Sequence, residues 1–256
     1  MRYAIAFLFA ALSFNSQLQA AGVCDEQDAR LFETYIEKRQ EQKRILISTT
    51  MNTAIAGVRI ENRKPYTGGY AGVRIYSHQE GARYLNGRHS GDEAFHNGPL
   101  WAPGPIKIFL DQDEKANGPL DLSHPDQLSK INLTTYQLSD CDMDATSALT
   151  GAHVLRFEIA PRKNIEGAWY GFIEVDPKTL LTLAEVSSKT ILSDRARSNL
   201  GGRMTEFNFK RYFRIVDGRV SIPYLFSTHA KSRWAQYSDV KIEARFELVD
   251  YKTGDR

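Results

Sequence analysis

Two hydrophobic periodicities divide the chain. Over Asp25–Arg44 (DEQDARLFETYIEKRQEQKR) there is no Gly or Pro, and Ala29, Phe32, Tyr35, Ile36 and Arg39 recur at the three- and four-residue spacing of one helix face. Asp25, Glu26 and Asp28 sit where a helix N-terminus favours negative charge, and Lys43-Arg44 where its C-terminus favours positive charge. This predicts one amphipathic helix of about five turns with a solvated charged side. From residue 54 the period drops to two. Ala56, Val58 and Ile60 alternate with Gly57, Arg59 and Glu61, and Ala71, Val73 and Ile75 with Gly72, Arg74 and Tyr76, which predicts two half-buried strands with the apolar sets inward. Gly-Val-Arg-Ile occurs in both, at 57–60 and 72–75, but two copies do not make a repeat array.

The alternation sharpens further on. Leu155, Phe157 and Ile159 alternate with Arg156, Glu158 and Ala160; Trp169, Gly171, Ile173 and Val175 alternate with Tyr170, Phe172 and Glu174; Val240, Ile242, Ala244, Phe246 and Leu248 alternate with charged residues. Asp217-Gly218, between Phe213–Val216 and Arg219–Ile222, is a two-residue hairpin signal, because a type I′ turn needs positive φ at both central positions. Connections are short and no βαβ rhythm appears, so neighbours pair antiparallel. The fold class is α+β, with a helix followed by about eight to eleven strands; a sheet that long must curl or split to hide one face. The expected architecture is a strongly curved antiparallel sheet, an incomplete β-barrel, wrapped around one or more helices. Residues 83–128 differ, being punctuated by Asn86-Gly87, Gly91, Asn97-Gly98-Pro99, Pro103-Gly104-Pro105 and Asn117-Gly118-Pro119, with Ile106–Leu110 as the one strand-like run. They read as a loop-rich insertion in a single domain covering 21–256.

Composition narrows the class. The 256 residues are 42% hydrophobic and 25% charged, an ordinary globular balance able to bury a core without staples. Lys+Arg number 33 against 31 Asp+Glu, and no basic block occurs, so the electrostatic footprint of nucleic-acid binding is missing. At the N-terminus Met1-Arg2 precede a run over residues 3–14 that is apolar apart from Tyr3 and Ser13, and small residues follow at Ala20-Ala21-Gly22. That is a secretory signal over residues 1–20, cleaved after Ala20, which predicts a mature protein outside the cytoplasm, periplasmic if the chain is bacterial as the resemblance below implies. Val23 before Cys24 is bulky where a lipoprotein signal has a small residue, which disfavours lipidation. Cys24 and Cys141 are the only cysteines. In an oxidising compartment they are expected to pair, stabilising by at most about 4–5 kcal/mol through chain entropy.

No catalytic motif emerges. His89 and His96, with Asp92 and Glu93 between them, have donor chemistry for zinc, but their spacing fits neither a helical pair nor a ribbon, and flanking glycines argue for a solvated loop. Asp140, Asp142 and Asp144 lack the glycine and glutamate of a calcium loop. There is no G-x-S-x-G elbow, no S-x-x-K and no phosphate-cradling glycine loop. The residues give no catalytic site, metal or cofactor, and the chain reads as a non-enzyme.

The block His153–Tyr251 carries a family likeness. HVLRFEIAPRK, then WYGFIEVDPKTLLTLAEV with its Val175-Asp176-Pro177 turn after an aromatic-bearing strand, then NFKRYFRIVDGRVSIPYLFSTH with Ile222-Pro223 closing a hairpin, resembles the C-terminal half of the LolA/LolB-like superfamily of bacterial extracytoplasmic proteins. The resemblance implies an incomplete barrel enclosing helices with an apolar cavity between them. It also implies a lipid or lipoprotein acyl chain as ligand, in a sorting-like carrier or sensor. The candidate ligand-binding set is Leu155, Phe157, Ile159, Trp169, Ile173, Ile242 and Phe246, for which plain core packing is the competing explanation. The alternative reading is an envelope protein-protein interaction module with a filled core; an enzyme on the same scaffold, using the His89–His96 region, stands third.

Overall fold

The computed structural model describes residues 24–61, 63–77, 81–92, 131–165, 167–192, 204–232 and 237–254. Met1–Val23, with the expected signal, and 93–130, with most of the expected insertion, lie outside the described residues. Helix α1 spans Glu26–Ile45. Asp25 caps it: its carboxylate accepts the Asp28 amide at 2.8 Å while the Asp28 carboxylate accepts the Asp25 amide at 3.2 Å, a reciprocal box that satisfies two otherwise orphaned donors. The helix runs without a loop into the first strand.

The strands are β1 (Leu46–Glu61), β2 (Lys64–Ser77), β3 (Gly81–Gly91), β4 (Tyr136–Thr146), β5 (His153–Pro161), β6 (Trp169–Val175), β7 (Thr182–Thr190), β8 (Met204–Val216), β9 (Val220–Ser232) and β10 (Tyr237–Thr253). They form one ten-stranded sheet, ordered β3-β2-β1-β10-β9-β8-β7-β6-β5-β4 and antiparallel at every pairing. The sheet is not closed, and among the described residues α1 is the single helix. The Asp217-Gly218 signal becomes a real turn: both residues have positive φ, 51° and 63°, and the Arg219 amide donates to the Val216 carbonyl at 3.0 Å.

One register row crosses the whole sheet: Cys141–Phe157–Ile173–Glu185–Arg211–Phe226–Ala244–Ile55–Tyr70–His89, from β4 to β3. All are buried except His89 at the β3 end. This row defines the helix-side face and exposes two corrections. In β1 and β2 the expected phase is inverted, because Met51, Thr53, Ile55 and Arg59, and Tyr70, Arg74 and Tyr76, are the buried positions, while Ala56 and Ala71 are exposed and Val58, Ile60, Val73 and Ile75 are half-buried. The inward set carries the larger side chains, and pairing with β10, whose Ala244 and Phe246 point inward opposite Ile55 and Thr53, selects that phase. Both arginines of the repeated Gly-Val-Arg-Ile therefore lie inside. The guanidinium of Arg74 sits 5.7 Å from the ring centres of both Tyr76 and Tyr84, so its buried stem and charge meet aromatic faces.

The second correction concerns 83–91, which belong to β3 and not to a loop. Asn86-Gly87 bends this strand instead of ending it: Asn86 has φ 54°, and the register slips there, Ala71 pairing Arg88 and Val73 pairing Leu85. One extra residue on β3 makes a bulge, a use of Asn-Gly that satisfies its positive-φ preference without a hairpin.

Candidate functional site

Successive turns of α1 meet successive strands. Cys24, just before the cap, is disulfide-bonded to Cys141 of β4, as the two-cysteine count predicts, with Cα atoms 5.3 Å apart and a sequence separation of 117. Phe32 and Tyr35 lie on Phe157 of β5, with ring centroids at 5.2 and 6.0 Å. The Tyr35 hydroxyl is 3.0 Å from Thr182 Oγ1 of β7. Arg39 donates to the Tyr35 hydroxyl at 2.7 Å, to Thr182 Oγ1 at 3.1 Å and to the Glu185 carboxylate of β7. Gln42 Nε2 donates to the Ser221 carbonyl of β9 at 3.3 Å, and Leu46 then opens β1.

Arg39 lay on the apolar helix stripe in the sequence, and the structure explains it as the helix half of a buried charge network. Glu185 and Arg39 have side chains 0% exposed, and Arg211 Nη1 of β8 lies 3.7 Å from the second Glu185 oxygen. Glu185 and Arg211, paired in register, are site features that sequence reasoning missed; the signal was a Glu and an Arg at inward positions of alternating strands. Burial raises the Tyr35 hydroxyl pKa, with Arg39 opposing the shift and Glu185 adding to it. Burial raises that of Tyr136 as well, although its hydroxyl accepts the Trp169 amide at 3.3 Å.

The seven expected ligand-contacting residues are brought together. Leu155, Phe157, Ile159, Trp169, Ile173, Ile242 and Phe246 all belong to one buried core cluster, none more than 8% exposed. Trp169 stacks edge-on against Phe209 at 5.2 Å and lies 6.2 Å from Tyr136. Its indole Nε1, with the hydroxyls of Thr53 and Ser221, is buried and has no hydrogen-bond partner. Phe32, Tyr35 and Ile36 of α1 belong to the same cluster.

An open pocket of about 480 Å³ lies instead on the β1–β3 side, lined among others by Ile55 and Gly57 of β1, Gly68 and Tyr70 of β2, and His89 and Gly91 of β3. None of the seven residues lines it. The Tyr70 ring is laid flat by two glycines: a Cβ on Gly72 would stand 2.4 Å from its hydroxyl, and one on Gly87 2.2 Å from its Cε2. Only glycine leaves room for that pose. His89 packs edge-on to Tyr70 at 5.3 Å, while Asp92 accepts the Thr67 amide at 2.7 Å, and His96 and Glu93 lie outside the described residues. Asp140 and Asp142 accept the backbone amides of Cys141 and Asp144, and Asp144 lies 3.5 Å from His153. Among the described residues no three His, Cys, Asp or Glu side chains converge as a metal site, and no helix is long and apolar enough to cross a membrane.

No protein-family model and no curated protein matches the chain. Among solved structures it is similar to a domain from Vibrio parahaemolyticus named for outer membrane lipoprotein sorting, at 9% identity and a TM-score of 0.40, covering 87% of this chain and 93% of that one. It is also similar to MucB, at 11% identity and a TM-score of 0.25, covering 89% and 95%. A third likeness is to the Pseudomonas aeruginosa MucA/MucB complex, at 11% and 0.23, covering 85% and 93%.

Proposed function

We propose that this protein is a periplasmic, non-enzymatic binding protein whose half-barrel holds a lipid or a lipoprotein acyl chain against its helix-side face. The observation that carries this reading is the cross-sheet row: from β4 to β2 it is buried and, Glu185 and Arg211 apart, apolar, while α1 runs from the disulfide on β4 to the start of β1. Twenty helical residues span about 30 Å, whereas seven inter-strand steps from β4 to β1 measure about 34 Å along the sheet, before any twist. A helix set as that chord fits a sheet bowed around it, and β2 and β3 continue past its end. The pocket of about 480 Å³ lies on that uncovered side, within the size range of ligand sites. In this reading the chain lies from the pocket toward Ile242 and Phe246, and Trp169, Ile173, Leu155, Phe157 and Ile159 form the deeper wall. The buried hydroxyl of Thr53, opposite Phe246, offers a hydrogen bond to an ester or carboxyl group.

The test is to purify the protein gently from a bacterial periplasm, compare native with denatured mass, and profile the organic extract. A reproducible excess matching a phospholipid or acyl species supports the reading; a bare-chain mass, with no lipid above a control protein, overturns it. One observation favours a second reading. The buried contacts of Phe32 and Tyr35 with Phe157 suit a rigid scaffold, an interaction module for an envelope protein partner, and a bare mass with a co-purifying stoichiometric partner would select it.

A further inference from the structure

We propose that the Cys24–Cys141 disulfide is a redox-operated clasp, whose reduction by a dithiol releases the first turns of α1 and the middle of β4 while the rest of the sheet stays folded. Its consequence for ligand exchange rests on the ligand reading above; the clasp itself does not. The two ends of α1 are held in different ways. The C-terminal half is docked by Arg39 on Glu185, by Gln42 on the Ser221 carbonyl and by the peptide bond into β1. At the other end Asp25, Glu26, Gln27 and Arg30 are exposed, Ala29 and Leu31 only half-buried, and the first buried side chain is Phe32. The disulfide is thus the firm attachment of the first turns.

Its other end is equally local. β4 is an edge strand among the described residues, and its ladder with β5 breaks on both sides of Cys141, between Leu138 and Asp140 and again between Asp142 and Ala145. Asp140–Asp142 is therefore a short paired island, centred on the cysteine, in an interrupted strand. Segments with few buried contacts and interrupted ladders open at low free energy, independently of the whole. Cys24 is half-buried and Cys141 buried, so Cys24 is the more exposed member of the pair. Attack of one thiolate of the reductant on a disulfide sulfur breaks the S–S bond and expels the other cysteine as thiolate. The reductant's second thiol then displaces the first cysteine. Two electrons and two protons end on Cys24 and Cys141 as thiols, and the reductant leaves as its cyclic disulfide.

Hydrogen exchange of the oxidised protein and of the same protein held in dithiothreitol tests this. Amides of 25–31 and 138–145 are expected to lose protection at least about tenfold more on reduction than residues 39–45 and the β1–β10 ladder, whose acceleration reports only the chain-entropy contribution lost from global stability. Equal acceleration in all ten strands and in 25–31, or none in α1, overturns the clasp. A Cys24→Ser/Cys141→Ser variant that folds must repeat the pattern of the reduced protein, and the reduced wild type decides alone if that variant does not fold. Release of bound cis-parinaric acid is expected to be about tenfold faster from the reduced form, and equal release rates overturn the role in ligand exchange. Failure of the probe to bind either form defeats the ligand reading and leaves the exchange result standing.

Discussion

Removing the charge of Glu185 probes the centre of the fold. Its carboxylate is 0% exposed, accepts from Arg39 and faces Arg211 at 3.7 Å, so Glu185→Gln keeps the side-chain volume while leaving two guanidinium groups in a dry interior without that counter-charge. Breaking a buried pair on one side costs about 3–5 kcal/mol, far more than an exposed pair, because the remaining ion is stranded. For a chain of this size each kcal/mol moves the melting midpoint by about 2–4 °C, so the midpoint should fall by about 6–20 °C. Arg39→Met should cost a similar amount, whereas Arg39→Met combined with Glu185→Gln should cost less than the sum, since the double variant strands neither member of that pair. The assay is urea unfolding followed by circular dichroism, with all three variants and the wild type closing a double-mutant cycle. A coupling energy below about 0.5 kcal/mol, or a Glu185→Gln loss below about 1 kcal/mol, would refute the assignment of this network as the buried anchor of α1.

Gly171→Ala should be among the most damaging small substitutions: its Cβ would stand 1.9 Å from the Val186 carbonyl oxygen at a φ of 154°, and backbone in a sheet interior cannot step aside. A loss above about 3 kcal/mol, or failure to accumulate as soluble protein, is expected, and near-wild-type stability would contradict the β6–β7 register. Tyr35 and Tyr136 have hydroxyl pKa values raised by burial, so in each the folded value lies above the unfolded one. The stability they contribute is complete below about pH 10 and is lost as pH climbs beyond it, at about 1.4 kcal/mol per pH unit for each group. Tyrosinate absorbance should therefore show these two ionising together with unfolding; free titration of all tyrosines in a folded protein would contradict their burial. Trp169→Ala and Phe246→Ala should each lower stability by about 3–5 kcal/mol and reduce lipid occupancy in the folded fraction. Lost stability with unchanged occupancy would mark them as core alone.

The parts legible in the sequence were those where one local signal decides. α1 was readable to within one residue because cap, face and charge gradient agree, β10 because its inward phase is apolar and its outward phase mostly charged, and β5 and β6 because each alternates up to a proline-marked end, Pro161 and Asp176-Pro177. β1 and β2 misled because both phases are apolar: counting Ala56, Val58 and Ile60 outweighs Ile55 flanked by Thr53 and Arg59, and only the register with β10 reverses the choice. β4 was invisible for a related reason, since Leu138, Cys141 and Ala145 follow no period of two once two register breaks intervene. The site divides in the same way. Its apolar members were visible one strand at a time, whereas Glu185 and Arg211 acquire meaning only when β7 lies beside β8 and under Arg39, a relation between residues far apart in sequence.

That relation also accounts for charge in a place where leucine would be more stable. Burial of Phe32, Tyr35 and Ile36 turns the apolar side of α1 toward the sheet, but apolar contact is non-directional and leaves the finer rotation about the axis unset. The ends of α1 are already set, by the disulfide to β4 and by the peptide bond into β1. Rotation is the remaining freedom, and Arg39 removes it: only one rotation lets a single guanidinium meet Tyr35, Thr182 and Glu185 together. Any other would take the Arg39 guanidinium off Glu185, at the cost of leaving a buried carboxylate without that partner. The network thus trades stability for a single orientation of the helix, which decides which apolar side chains complete the helix-side face and which remain in water.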